Sequence, residues 1–344
     1  MKLMLAAADK GSAARVTLHT PAKINLFLDV KGKRADGFHE IETVMCPISL
    51  YDEVTVTRLD NSDIELDLSF EANEAVSRNS SDSIPDPAWQ IPADSSNLVV
   101  RAADAVRRSL QDAGRLDTPV GARIEMRKRI PAQAGMAGGS SNAAAIVVAC
   151  LHLWAEWDRT LATEICQSLG SDIAFFLGDY KQIGLGLATG RGEQCIQIPG
   201  QPKLDFVVTH PRQGCSTGQI YSLFQPSNTE RSSKKLLAAC ETREAGQFTK
   251  IGAELFNALQ SPASQTCEWI ERQLNLFADA GLMYNLMTGS GSACIALVED
   301  ASEFDFGAFK RNAVQQEVPR AFLVSSWYQP SIERQLLALE ENQD

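Results

Sequence analysis

The stretch PAQAGMAGGSSNAAA, residues 131–145, restricts the fold more than any other part of the chain. Gly135, Gly138 and Gly139 let the backbone enter the left-handed region and let a ligand approach the main chain closely. Just upstream, VGARIEMRKRI alternates with period two, which predicts a strand. Just downstream, NAAAIVVACLHLWAEW reads as an apolar helix. A strand, a glycine loop and a helix N-terminus in that order make an anion site, because the first N–H groups of the helix have no internal partner and carry the positive end of its dipole. Ser140, Ser141 and Asn142 are predicted to cap this helix. The serine hydroxyls could add hydrogen bonds to a phosphate or help to hold Mg²⁺ on it. The loop has no G-K-[ST] and does not fit G-x-G-x-x-G, so it is neither a Walker loop nor a dinucleotide fingerprint. The basic trio at 127–129 could raise the local positive potential or could simply be solvated. A flexible turn ahead of a capped helix is the plain alternative.

PAKINLFLDV, residues 21–30, raises a second question. Read with period two, Ala22, Ile24, Leu26, Leu28 and Val30 share an apolar face that should meet a core. Lys23, Asn25, Phe27 and Asp29 share the other, where a cation, an amide and a ring follow one another as on a cleft wall. Lys23 is either a solvated strand lysine or a group held in a site.

The 344 residues suffice for two domains. The formal net charge of −11 disfavours nucleic acid and anionic membranes as partners. It leaves a small anionic substrate open, since local N–H groups and a few lysines can hold a phosphate whatever the total. No apolar run has the length of a membrane-spanning helix, and the opening MKLMLAAADKGSAAR reads as a ragged leader to the first strand. The eight cysteines form no C-x-x-C, and the four histidines do not sit near them at zinc-ligand spacing. They read as reduced buried thiols, which predicts a cytoplasmic setting.

Strand patterns cover residues 16–58, with IELDLSF as a further strand. Residues 73–96, rich in Ser, Asp, Asn and Pro, predict a long surface loop that could close over a ligand. SNLVVRAADAVRRSLQDAG predicts a helix with Leu98, Ala102, Val106 and Leu110 on one face and Gly114 as its stop. The Gly-Pro-rich IQIPGQPK is the best boundary, which divides the chain into 1–198 and 199–344. Strands and helices mix without strict βαβ alternation and without repeats. The expected class is α+β: two α/β sandwich domains with a cleft between them.

The loop P-x-x-x-G-[LM]-x-G-[GS]-S-S resembles the phosphate loop of the GHMP small-molecule kinases. PAKINLFLDVKGKRADGFHEIETV resembles one branch in particular, the 4-diphosphocytidyl-2-C-methyl-D-erythritol kinases. SNLVVRAA, LGSDIAFFLG, ATGRGE, THP and TGSGSAC continue the resemblance in the family's order over most of the chain. It implies the two-domain GHMP fold, with an ATP-binding domain at 1–198 and a second GHMP kinase domain at 199–344. It also implies ATP with Mg²⁺ as cosubstrate and phosphorylation of the 2-hydroxyl of a cytidine diphosphate-linked polyol in non-mevalonate isoprenoid synthesis. The expected partner is that small molecule, with no nucleic acid and no membrane, in a monomer or homodimer.

By the same resemblance Lys23 and Asp172 are the catalytic pair. The chemistry wants such a pair, because phosphoryl transfer to an alcohol needs a place for the hydroxyl proton and a cation for the developing charge. The local alternative for Asp172 is a helix N-cap. Pro131, Ala132, Gln133, Ala134, Gly135, Met136, Ala137, Gly138, Gly139, Ser140 and Ser141 would hold ATP, with Asn97 near the adenine and Mg²⁺ near Ser140 or Ser141. Asn25, Phe38, His39, Thr217 and Gly289 would meet the substrate. A ring followed by a hydrogen-bonding ring suits a pyrimidine base. The turn at 288–294 either offers N–H groups to an anion or packs against the first loop.

Four departures from the family pattern stand out: Phe38 where Tyr is common, Ala137 for Gly, Ala174 for Pro, and residues 256–263 without the usual acids. The rival readings are another GHMP kinase, acting on homoserine, mevalonate or a sugar, and a ligand sensor that has kept the pocket. A sensor would normally have lost a catalytic group, and both Lys23 and Asp172 are present.

Overall fold

The computed structural model describes residues 14–71, 87–116, 118–179, 182–199, 202–226, 231–242, 246–326, 329–330 and 335. The leader at the start of the chain and residues 73–86 of the expected loop lie outside the described residues.

Two long strands set the frame. β1 (Arg15–Lys33) and β2 (His39–Leu59) pair antiparallel along almost their whole length. The strand-like stretches IETVMCPISL and DEVTVTRL thus form one strand, carried past Pro47 by a register shift between Pro21 and Ala22. β3 (Ile64–Phe70) runs parallel to β4 (Gly121–Lys128), and β4 pairs with β2. After β5 (Gln182–Ile183), β6 (Gly186–Thr189) joins β2 and β7 (Gln194–Gln197) joins β6. β8 (Asp205–His210) begins a second sheet, while β9 (Phe256–Asn257) returns to the first and runs parallel to β1. β10 (Asn285–Met287), β11 (Cys294–Val298) and β12 (Arg320–Ser325) complete the second sheet in the order β10-β11-β8-β12, and β13 (Gln329–Pro330) pairs back with β5. Among the described residues the first sheet has 7 strands and the second 4.

One face of the first sheet is covered by α1 (Leu98–Asp112), α2 (Gly138–Trp154) and α3 (Arg159–Leu169). α1 follows the predicted spacing, with Ala102, Val106 and Leu110 buried, Asn97 as its N-cap and Gly114 just past its end at φ 64°. α2 is buried on all sides from Ser141 to Leu151, as an apolar helix between a sheet and other helices must be. The second sheet packs on the helices Glu268–Asp279 and Phe306–Gln315. Between the sheets, Ile24, Val44 and Cys46 meet Phe206, Val208 and Ile295 in a shared core.

The alternation in PAKINLFLDV is interrupted. A bulge between Asn25 and Phe27 shifts the register against β2. Its extra residue reverses the faces beyond it. Phe27, expected on the cleft wall, is instead 3% exposed and packs with Ile24 in the core between the sheets. Leu28, expected in that core, faces the cavity described below.

Candidate active site

A cavity of about 1270 Å³ opens between the two sheets. The glycine loop forms one wall. Gln133, Gly135 and Ala137 all take positive φ, at 55°, 74° and 52°. α2 starts at Gly138, so Ser140, Ser141 and Asn142 lie inside its first turns and do not cap it. The residue before the helix is left-handed Ala137, which has no side-chain acceptor to offer. Ser141 N–H bonds the Ala137 carbonyl at 3.0 Å, so the N–H groups of Gly138, Gly139 and Ser140 precede the helix ladder. A Cβ on Gly138 would lie 2.8 Å from the Ile130 side chain, so only glycine lets the helix start this close to β4.

Pro131, Ala132, Gln133, Ala134, Gly135, Ala137, Gly138, Gly139 and Ser140 line the cavity. Met136 turns into the shared core, 1% exposed, and Ser141 is fully buried with its hydroxyl unpartnered. Asn142 braces the loop from behind. Its Oδ1 accepts from Thr20 Oγ1 at 2.6 Å, and its Nδ2 donates to Asp52 Oδ2 at 3.1 Å. Asp52, 0% exposed, also accepts the N–H groups of Arg129 (2.8 Å) and Ile130 (2.9 Å) and pairs with Lys128 Nζ. Of the basic trio, Lys128 is thus buried and paired, while Arg127 and Arg129 stay exposed.

The second glycine turn packs on the first. A Cβ on Gly289 would come within 2.7 Å of the Gly135 carbonyl oxygen, and Ala293 N–H donates to the Ala134 carbonyl at 3.2 Å. Asn257 holds the turn from below, donating through Nδ2 to the carbonyls of Met287 (2.7 Å) and Gly289 (2.8 Å). This gives the otherwise acid-free segment 256–263 a structural task.

Lys23 and Asp172 meet in the cavity. Lys23 Nζ lies 3.4 Å from Asp172 Oδ2, with side-chain exposures of 5% and 35%. Lys23 Nζ also donates to Asn25 Oδ1 at 2.8 Å. Asn25 in turn donates through Nδ2 to Thr43 Oγ1 at 2.7 Å, and its N–H donates to Thr288 Oγ1 at 2.8 Å. The amine is therefore held through Asn25, which Thr43 and Thr288 fix from two sides, while the carboxylate keeps an open side toward the cavity. Asp172 is not an N-cap: it sits in the turn before the 3₁₀ segment Ala174–Leu177, whose first residue is preceded by Ile173 with no side-chain cap.

At the other end of the cavity are aromatic rings. Phe38 is 52% exposed. His39 and Tyr221 lie with centroids 5.0 Å apart and planes inclined by 33°. Arg191 places its guanidinium 4.8 Å from the centre of the Phe38 ring. Thr217, at the start of α4 (Thr217–Leu223), shares a 2.8 Å hydrogen bond with Ser290 and so ties this helix to the second glycine turn. Burial, and then the charge of Asp172, push the Tyr221 hydroxyl up to about 12, so it stays protonated. Asn97 lines the cavity while its side chain accepts from Val99 N–H (3.0 Å) and donates to the Pro92 carbonyl (2.6 Å). Gln90, Ile91 and Pro92, from the segment read as a surface loop, form cavity wall.

Every residue proposed from sequence as catalytic or substrate-binding lines this one cavity, as do all the proposed nucleotide contacts except Met136 and Ser141. Sequence reasoning missed Tyr221, Arg191, Thr43 and Thr288 as cavity or site-supporting residues. Arg191 lies inside the motif ATGRGE, and Tyr221 lies four residues beyond Thr217 on the same short helix. Among the described residues, no group of three His, Cys, Asp or Glu could hold a metal, and no helix is long and apolar enough to cross a membrane. All eight cysteines are free.

The family described as GHMP kinases N terminal domain matches residues 97–179. The 4-diphosphocytidyl-2-C-methyl-D-erythritol kinase of Rhodopirellula baltica is 36% identical over 295 residues, 82% of this chain and 87% of that protein. The kinase of the same name from Thermobifida fusca is 36% identical over 291 residues, 83% of this chain and 88% of its own. A crystal structure of 4-(cytidine 5'-diphospho)-2C-methyl-D-erythritol kinase superposes with a TM-score of 0.65 at 28% identity, over 90% of this chain and 98% of that one. Homoserine kinase from Cytophaga hutchinsonii superposes at 0.63 with 14% identity, over 96% of this chain and 99% of that one, which is a likeness of fold alone. Motif order, cavity and relatives agree: the chain belongs to the 4-diphosphocytidyl-2-C-methyl-D-erythritol kinase family of the GHMP kinases.

Proposed function

We propose that this protein transfers the γ-phosphoryl group of ATP to the 2-hydroxyl of 4-diphosphocytidyl-2-C-methyl-D-erythritol, in non-mevalonate isoprenoid precursor synthesis. The observation that carries the reading is the 3.4 Å approach of Lys23 to Asp172 in a cavity that also opens on the glycine loop. Asp172 accepts the proton of the substrate hydroxyl as the oxygen attacks phosphorus. Lys23 orients that carboxylate and offsets charge developing on the transferring group. The N–H groups of Gly138, Gly139 and Ser140 hold the triphosphate. Asn97 and its neighbours form the adenine side, and Phe38, His39 and Tyr221 take the cytosine.

Mg²⁺ fits this site as an ion carried by the nucleotide. The Ser140 hydroxyl, a hard oxygen donor at the first turn of α2, lines the cavity, and the Ser141 hydroxyl lies behind the lining, buried without a partner. The ion would neutralise phosphate charge. Residues 1–198 would carry most of the nucleotide site and 199–344 the second glycine turn and Tyr221. A cytoplasmic monomer or homodimer, with a small-molecule partner and neither nucleic acid nor membrane, completes the reading.

A panel of candidate acceptors with purified protein and ATP tests it. Phosphorus NMR should show a new monoester only with the cytidine substrate. Faster turnover of homoserine, mevalonate or a sugar would replace this reading with a sister activity. Binding of the cytidine compound with no turnover would favour a sensor.

A further inference from the structure

The charged side chains lining the cavity run against the acidic character of the whole chain. Among the described residues they are Lys23, Lys33, Lys128 and Arg191, with Asp172 as the one carboxylate. Such a concentration in a cleft focuses positive potential. Lys23 and Lys128 are matched, by Asp172 and Asp52. The other two are not matched closely. Lys33 makes no ion pair among the described residues, and it lies directly opposite His39 in the β1–β2 ladder. Arg191 Nε is 3.8 Å from Glu193 Oε2, while that oxygen accepts the Arg191 main-chain N–H at 2.6 Å. The acids on the β1–β2 connection pair first with Arg34, which holds Asp36 at 3.1 Å and Glu40 at 3.3 Å, and Asp36 feels the Arg191 charge only as a lesser influence. None of Asp36, Glu40 and Glu193 lines the cavity.

These two cations flank the aromatic end. Arg191 stands over the Phe38 ring at 4.8 Å, and Lys33 borders His39. A molecule whose base meets Phe38 and His39 would bring the phosphates attached to its ribose against this pair. We infer that Arg191 and Lys33 form an anion subsite for the diphosphate of the substrate, distinct from the triphosphate site at the glycine loop. The inference rests on the reading of the substrate as a cytidine diphosphate-linked polyol. Arg191 has a second use in the same place. A guanidinium stacked on Phe38 fixes that otherwise exposed ring, so Arg191 links base recognition to diphosphate recognition.

The test is steady-state kinetics of the full chain with Arg191→Gln, Arg191→Lys and Lys33→Ala. A charge-assisted hydrogen bond contributes enough that R191Q should raise KM for the diphosphocytidyl substrate on the order of 10-fold or more. KM for ATP and the melting temperature should hold. R191K should recover part of the loss, and K33A should add a smaller one. Added salt should raise the substrate KM of the unmodified protein more steeply than that of R191Q. Normal turnover with an unchanged substrate KM in R191Q would overturn the subsite and leave the functional reading intact. No turnover of the cytidine substrate by the unmodified protein would overturn that reading and the subsite with it.

Discussion

Gly135 and Gly289, one from each sheet's glycine turn, touch through their backbones. A Cβ on Gly289 would stand 2.7 Å from the Gly135 carbonyl oxygen, and one on Gly135 would overlap the Thr288 carbonyl. Both residues have positive φ, 74° and 57°, so an alanine at either meets a clash and a backbone penalty together. Gly289→Ala should lower stability by roughly 1–3 kcal/mol and weaken ATP binding through the displaced loop. Gly139→Ala is the control for folding, since nothing lies within 4 Å of its Cβ, and it should keep its melting temperature. Calorimetry on both variants decides it; equal melting points would mean that the turns are not locked.

Asp172→Asn should lower kcat on the order of 10²-fold or more with little change in ATP affinity, because the amide cannot take the hydroxyl proton. Lys23→Met should also lower kcat. It would further leave Asn25 Oδ1 without its 2.8 Å donor, so a modest stability loss should accompany it. Single-turnover phosphorylation with binding measured separately distinguishes the two effects. An Asp172→Asn variant with full kcat would remove the base assignment.

The glycine loop, the α1 face and the meeting of Lys23 with Asp172 were legible because each is local or sits in a dense motif. Period-two reading of PAKINLFLDV placed Lys23 and Asn25 on the site face, but it could not foresee the bulge that moves Phe27 inward and Leu28 outward. A bulge needs a partner strand, and pairing is not written in a single segment. Helix capping by Ser140–Asn142 failed for a related reason. Packing of Gly138 on Ile130 starts the helix earlier than side-chain capping preferences suggest. Lys128 looked like any surface cation, since its counter-ion Asp52 lies far off in sequence on a neighbouring strand.

Asp52 ties together both stems of the glycine loop through Arg129, Ile130 and Asn142. Asp52→Asn leaves the Lys128 ammonium buried at 3% exposure without a counter-charge, which should cost about 3–5 kcal/mol. Lys128→Met on the same background should restore part of that loss, giving a non-additive cycle. Urea denaturation of the two singles and the double measures it. A strictly additive cycle would show that the pair does not act as a unit.

His210 is 1% exposed on β8, with its Nδ1 3.1 Å from Arg320 Nη1. Burial first, and then the neighbouring Arg320 charge, lower its pKa from the ordinary 6.5 to about 3. The folded protein therefore keeps this ring neutral while the unfolded chain binds a proton below 6.5. Between those two values the unfolded state holds the extra proton, so stability falls as pH falls, by up to about 1.4 kcal/mol per pH unit. Above 6.5 the group contributes no slope. His210→Gln keeps a neutral acceptor for Arg320 and removes the titration, so its urea midpoint should decline less steeply than that of the unmodified protein from about pH 6.5 to about pH 4.5. Other carboxylates titrate in the same range in both proteins, and the difference between the two curves isolates the histidine. Parallel curves would mean that the ring takes up its proton in the folded state after all, through an opening between β8 and β12.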